Sequence, residues 1–144
     1  MQIMNNTGGH SAFARGAGAY ARVGVESGVM SASPHQLITL LFDGAQSAIR
    51  TARLHLQDGR AAEKGAAISK ALDIVNNGLK AALDQERGGE LAERLAALYD
   101  YVARLLLAAN LHNDDERLRQ AAELLENIGS AWREIDPRRS AEGV

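Results

Sequence analysis

An all-α fold, an antiparallel up-down four-helix bundle with an N-terminal arm packed on or near it, is what three observations predict. The two prolines, Pro34 and Pro137, bracket a segment rich in Ala, Leu, Glu, Arg and Lys, all good helix formers. Within it, apolar residues recur at spacings of three and four, the mark of amphipathic helices. Short polar or glycine-bearing breaks divide it into four stretches, and short connections make sequence neighbours antiparallel.

The first helix begins at Ser33-Pro34, where Ser is a favoured N-cap and Pro a favoured first residue. Leu37, Ile38, Leu41, Ala45, Ala48, Ile49, Ala52 and Leu56 form its stripe, and Asp58-Gly59 stops it. The second spans Ala61 to Leu83, with Ile68, Leu72, Val75, Leu79 and Leu83 on one face. Gly88-Gly89 is expected to end it, because glycine accepts the left-handed conformation past a helix C-terminus. The third runs from Glu90 to Ala109, with Leu91, Leu95, Leu98, Val102, Leu105 and Ala109 inward. The fourth runs from Asp114 to Ile135 and carries Leu118, Ala122, Leu125, Ile128 and Trp132. Asp114, Asp115 and Glu116 sit in its first turn, where the helix dipole favours them. Helices of this length span roughly 30–36 Å. Six of the fourteen glycines fall within residues 1–33, so that segment holds no regular helix easily. Residues 1–16 read as a disordered extension, 17–136 as the bundle domain with its arm, and 137–144 as a disordered tail.

Composition narrows the function. Hydrophobic residues make up 46% of the 144-residue chain but aromatics only 4%, so the core is aliphatic. The 16 Lys+Arg are offset by 18 Asp+Glu, which disfavours nucleic-acid binding. The absence of cysteine removes thiolate metal sites, disulfides and cysteine nucleophiles. No apolar run approaches the 18 residues of a membrane span, and MQIMNNTGGHSAF lacks a signal-peptide core. A cytoplasmic protein without membrane insertion is expected. No Glu is followed by His three residues on, as a di-metal bundle site needs. His35 and Asp43 stand about 12 Å apart along one helix, too far to act as a base and its orienter. No metal, no cofactor and no enzymatic activity are expected.

Several apolar residues fall off the stripes. On the helical wheel Leu40 lies to one side of the first stripe and Phe42 to the other. Tyr101 and Leu107 flank the third, and Ile74 and Leu124 lie off the second and fourth. Such residues either line a groove for a partner's amphipathic segment or belong to a wide core covered by the arm. The arm itself carries Tyr20, Val23, Val25, Val29 and Met30.

The segment AYARVGVESGVMSASPHQLITLLFDGA, residues 19–45, resembles the start of the flagellar secretion chaperone family FliS. The matching residues are Tyr20, Ser33, Pro34, Leu37, Phe42, Asp43, Gly44 and Ala45. The resemblance continues through LDQERGGE, LYDY and AN within residues 83–110 and through Trp132, and covers about residues 17–136. It implies a non-enzymatic chaperone that binds the disordered C-terminal segment of flagellin, prevents premature polymerisation and presents it to the export gate FlhA. A weak homodimer is a further expected partner. The expected client-binding residues are Tyr20, Leu37, Leu40, Leu41, Phe42, Ile74, Tyr101 and Leu107. The arm around Tyr20 is expected to compete with the client for the groove. A self-associating structural or regulatory bundle without a flagellin client is the alternative.

Overall fold

The computed structural model describes residues 32–135. Four helices follow one another: α1 (Pro34–Gln57), α2 (Ala61–Asp73, continued by a π-helical stretch Ile74–Lys80), α3 (Gln85–His112) and α4 (Asp115–Glu134). α1 packs on α2 and α4, and α3 packs on the same two, so α1 and α3 stand across the bundle diagonal. This is the expected all-α up-down bundle. The arm with Tyr20, the 1–16 extension and the 137–144 tail lie outside the described residues.

Local chemistry explains the ends. Ser33 Oγ accepts from the Gln36 amide at 3.2 Å, while Gln36 Oε1 accepts from the Ser33 amide at 2.8 Å. This reciprocal capping box, with Pro34 in the first turn, satisfies two donors that a helix start leaves open. Asp114 caps α4 by accepting from the Glu116 and Arg117 amides.

Three boundaries differ from expectation. The second helix loses regular α geometry after Asp73, where Ile74, Val75, Asn76, Asn77 and Gly78 are weaker helix formers than the residues before them. Gly88-Gly89 does not end it. Asp84 is an N-cap whose carboxylate accepts from the Arg87 amide, so α3 starts at Gln85 and the glycine pair bends its first turns. α3 also runs three residues beyond Ala109, because Asn113 takes φ 52° and closes the helix C-terminus.

The core is aliphatic along most of its length. Ile49, Ile68, Val75, Leu79, Val102, Leu106, Leu118 and Leu125 are buried, with Phe42 and Tyr99 as its aromatic part, ring centroids 6.5 Å apart. Phe42 and Ile74, placed off the stripes by the helical wheel, are core residues. α1 touches two neighbours at once, which widens its buried arc beyond one stripe. Phe42 lies against Gly129 of α4, and Ile74 fills the space beside Gly44.

One end of the bundle is tied by polar contacts. The Lys64 side chain is only 5% exposed. Its ammonium donates to the Asn110 carbonyl at 2.9 Å and to Asn113 Oδ1 at 2.6 Å, at the C-terminus of α3. The helix dipole there favours a cation. Among the described residues Lys64 forms no ion pair. Nearby, Arg53 and Asp115 form a two-point ion pair at 2.8 and 3.0 Å between α1 and α4.

Candidate functional site

Among the described residues the opposite end is apolar and open. There α1 and α3 begin, while α2 and α4 finish. Between them lies a cleft of about 340 Å³. Its walls are Ile38 and Phe42 of α1, Leu79, Ala82 and Leu83 at the end of α2, Leu91, Leu95 and Tyr99 of α3, and Ile128, Ala131, Trp132 and Ile135 at the end of α4. Four separate chain segments thus converge on one cavity. Leu91 is 66% and Ile135 60% exposed, so the rim is apolar and solvent-facing. Large apolar side chains held at an open edge make this cleft the candidate binding surface.

Trp132 is oriented from two directions. Its indole N–H donates to the His35 carbonyl at 3.1 Å, and the His35 ring Nε2–H donates to the Trp132 carbonyl at 2.7 Å. The two rings stack with centroids 4.6 Å apart and planes 12° from parallel. Burial pushes the Tyr99 hydroxyl well above the ordinary phenol range, so it stays protonated. Two ion pairs flank the cleft, Arg133 with Asp43 at 3.0 Å and Lys80 with Asp100 at 2.7 Å. Such half-exposed pairs add little stability and leave the cleft itself uncharged.

The expected client-binding residues are dispersed. Phe42 lines the cleft. Leu41 and Ile74 are buried in the core and do not face it, and Leu37 is half-buried on α1 outside the lining. Leu40 on α1, and Tyr101 and Leu107 on α3, are exposed at 41%, 44% and 56%. They do not combine into one groove, because their helices are diagonal to each other. The Arg104 guanidinium lies 5.7 Å from the Tyr101 ring centroid. Tyr20 lies outside the described residues.

The cleft residues that sequence reasoning assigned to ordinary stripes, above all Leu83, Leu91, Ile128 and Trp132, had a signal. They are the terminal members of their stripes, and in an up-down bundle the last residues of even helices meet the first residues of odd ones. Among the described residues, no three His, Asp or Glu side chains gather to hold a metal ion. No helix there is long and apolar enough to cross a membrane.

Comparison with known proteins matches this sequence to one family. The family model described as "Flagellar protein FliS" matches residues 16–139. The chain is 58% identical over 127 residues to the flagellar secretion chaperone FliS of Salmonella typhimurium, covering 88% of this chain and 94% of that protein. It is 50% identical over 121 residues to FliS of Escherichia coli, covering 84% and 89%. It is 42% identical over 113 residues to the flagellar secretion chaperone FliSB of Pseudomonas aeruginosa, covering 78% and 89%.

Proposed function

Because the chain belongs to the FliS family, a family of chaperones and not of enzymes, we propose that it binds the disordered C-terminal segment of flagellin in the cytoplasm. By covering that segment it prevents premature polymerisation, and it hands the client to the flagellar export apparatus through the gate FlhA.

The observation that carries this reading is the open apolar cleft at the end of the bundle. A flagellin terminus polymerises by burying the apolar faces of amphipathic helices, so a site that occupies those faces competes with assembly. A cavity of about 340 Å³ takes a few apolar side chains, such as the neighbouring anchors on one client helix face. Ordering a disordered segment carries an entropy cost that one such cavity does not offset. The client therefore extends beyond it over further exposed apolar residues. Leu40, Tyr101 and Leu107 serve as those outlying contacts, reached in succession by a segment that wraps the bundle. Leu37, half-buried on α1, and Tyr20 of the arm add apolar contacts to the same client.

The test is calorimetry of the full chain with a flagellin C-terminal segment. Leu91→Asp and Ile135→Asp alter exposed rim positions, so helical content should persist while binding weakens at least tenfold, about 1.4 kcal/mol. Leu40→Asp and Leu107→Asp should each weaken it less. An unaltered chain that does not bind the segment defeats the proposal. Equal binding by both rim variants removes the cleft from it.

A further inference from the structure

The bend in α3 at Gly88-Gly89 is built by two glycines for two different reasons. Gly89 has φ 53° and ψ −128°, inside an otherwise helical run. Those angles are close to the first central position of a type II′ turn, which L side chains avoid. Gly88 has a steric reason: a Cβ built on it would lie 2.7 Å from the Cβ of Ala92. In a straight helix, residues four apart hold their Cβ atoms about 5–6 Å apart. The close approach of 88 to 92 is thus itself a product of the bend.

Burial does not impose this shape. Residues 84–91 are all exposed. Local bonds hold only the turn before the bend, the Gly88 amide donating to the Asp84 carbonyl at 2.7 Å and the Arg87 amide to the Asp84 carboxylate at 3.1 Å, and the change of direction falls at Gly89. Across the turn sit Leu83 before it and Leu91 after it, and both line the cleft. A helix continuous through this stretch would separate them by roughly 12 Å along its axis. Leu83 is tied to the end of α2 by its amide's bond to the Lys80 carbonyl at 3.1 Å, so straightening would draw the two leucines apart.

We infer that the Gly88-Gly89 bend brings Leu83 and Leu91 together as walls of the client cleft, making both glycines positioning residues for client binding. This rests on the reading of the cleft as the flagellin site. Gly88→Ala and Gly89→Ala both disfavour the bent backbone and both favour a straight helix, since alanine is the better helix former. Each should weaken binding of the flagellin C-terminal segment about tenfold, the order expected from losing part of one leucine's contact.

The Gly88–Ala92 contact supplies the decisive control. Removing the Ala92 methyl makes room for one at 88. Ala92→Gly alone should bind like the unaltered chain, and Gly88→Ala combined with Ala92→Gly should recover affinity. Gly89→Ala combined with Ala92→Gly should not recover, because its defect lies in φ and not in space. Calorimetry reads the affinities, and circular dichroism checks that helix content is kept. Unchanged binding by both single glycine variants, with the unaltered chain binding normally, overturns the inference and leaves the client assignment standing. So does a Gly88→Ala defect that Ala92→Gly fails to relieve. No binding by the unaltered chain overturns both.

Discussion

His35 and Trp132, 97 positions apart in sequence, hold each other by a reciprocal pair of side chain to backbone hydrogen bonds beneath stacked rings. Each ring donates to the other residue's carbonyl. The first turn of α1 and the last turn of α4 are joined in this way beside the cleft, and the indole is left in one orientation against it.

Trp132→Phe should therefore cost stability through the lost indole donor, by about 1 kcal/mol, while keeping an aromatic wall. Trp132→Ala removes the wall as well and should cost roughly 2–3 kcal/mol, since the ring is only half-buried. Urea denaturation gives both numbers. Because the chain has one tryptophan, its emission should shift to the blue when a flagellin C-terminal segment enters the cleft. An unchanged spectrum at saturating segment would show that the occupant does not reach Trp132.

At the other end, Lys64 is a buried cation whose acceptors are a helix-terminal carbonyl and an asparagine side chain. Lys64→Met keeps the aliphatic stem but strands both acceptors, and should destabilise by about 1–3 kcal/mol. Lys64→Ala removes the stem too and should cost roughly 1 kcal/mol more. Neither change should alter client affinity, because the residue lies at the far end from the cleft. Denaturant midpoints for the two variants check the order, and equal stability of Lys64→Met and the unaltered chain would refute it.

The Arg53–Asp115 pair gives a pH dependence with a definite sign. The hydrogen bond from Arg53 lowers the Asp115 carboxyl below its ordinary value. In the acid range the unfolded chain therefore holds more protons at this site than the folded one. The stabilisation is fully present above the unfolded value of about 4, and it is lost as pH falls through the lower folded value. Both side chains are more than a third accessible to solvent, so solvent screening holds the effect to about 1 kcal/mol or less. Asp115→Asn should lower the thermal midpoint slightly at pH 7, with the difference shrinking below about pH 4. A difference that widens on acidification would contradict this.

Much of the bundle was legible because capping is local. Ser33-Pro34 and Asp114 announce helix starts that need no tertiary partner. The glycine pair was ambiguous for a physical reason: Gly88-Gly89 can end a helix, but Asp84 four residues earlier can begin one. Phe42 was misplaced because one stripe describes a helix with one neighbour, while α1 has two. The cleft was hidden because its walls lie on four segments remote in sequence, and periodicity reports the face of a helix and not what closes its end. Leu40, Tyr101 and Leu107 were readable as surplus apolar residues. Their separation across the diagonal needed the packing order.

The bundle's unequal ends give its opening a direction. Lys64 and the Arg53–Asp115 pair pin one end, whereas among the described residues the other exposes Leu91 and Ile135 around an open cleft. Local opening begins where buried contacts are fewest. His35 and Trp132 hold the first turn of α1 to the last turn of α4, whereas residues 84–91 are all exposed, so the late turns of α2 and the early turns of α3 should exchange amide hydrogens before the opposite halves of the same helices. An occupant of the cleft would therefore settle against one fixed wall, the α1–α4 side fastened by His35 and Trp132, and one yielding wall, the α2–α3 side, and amide exchange should slow on the yielding wall when it binds.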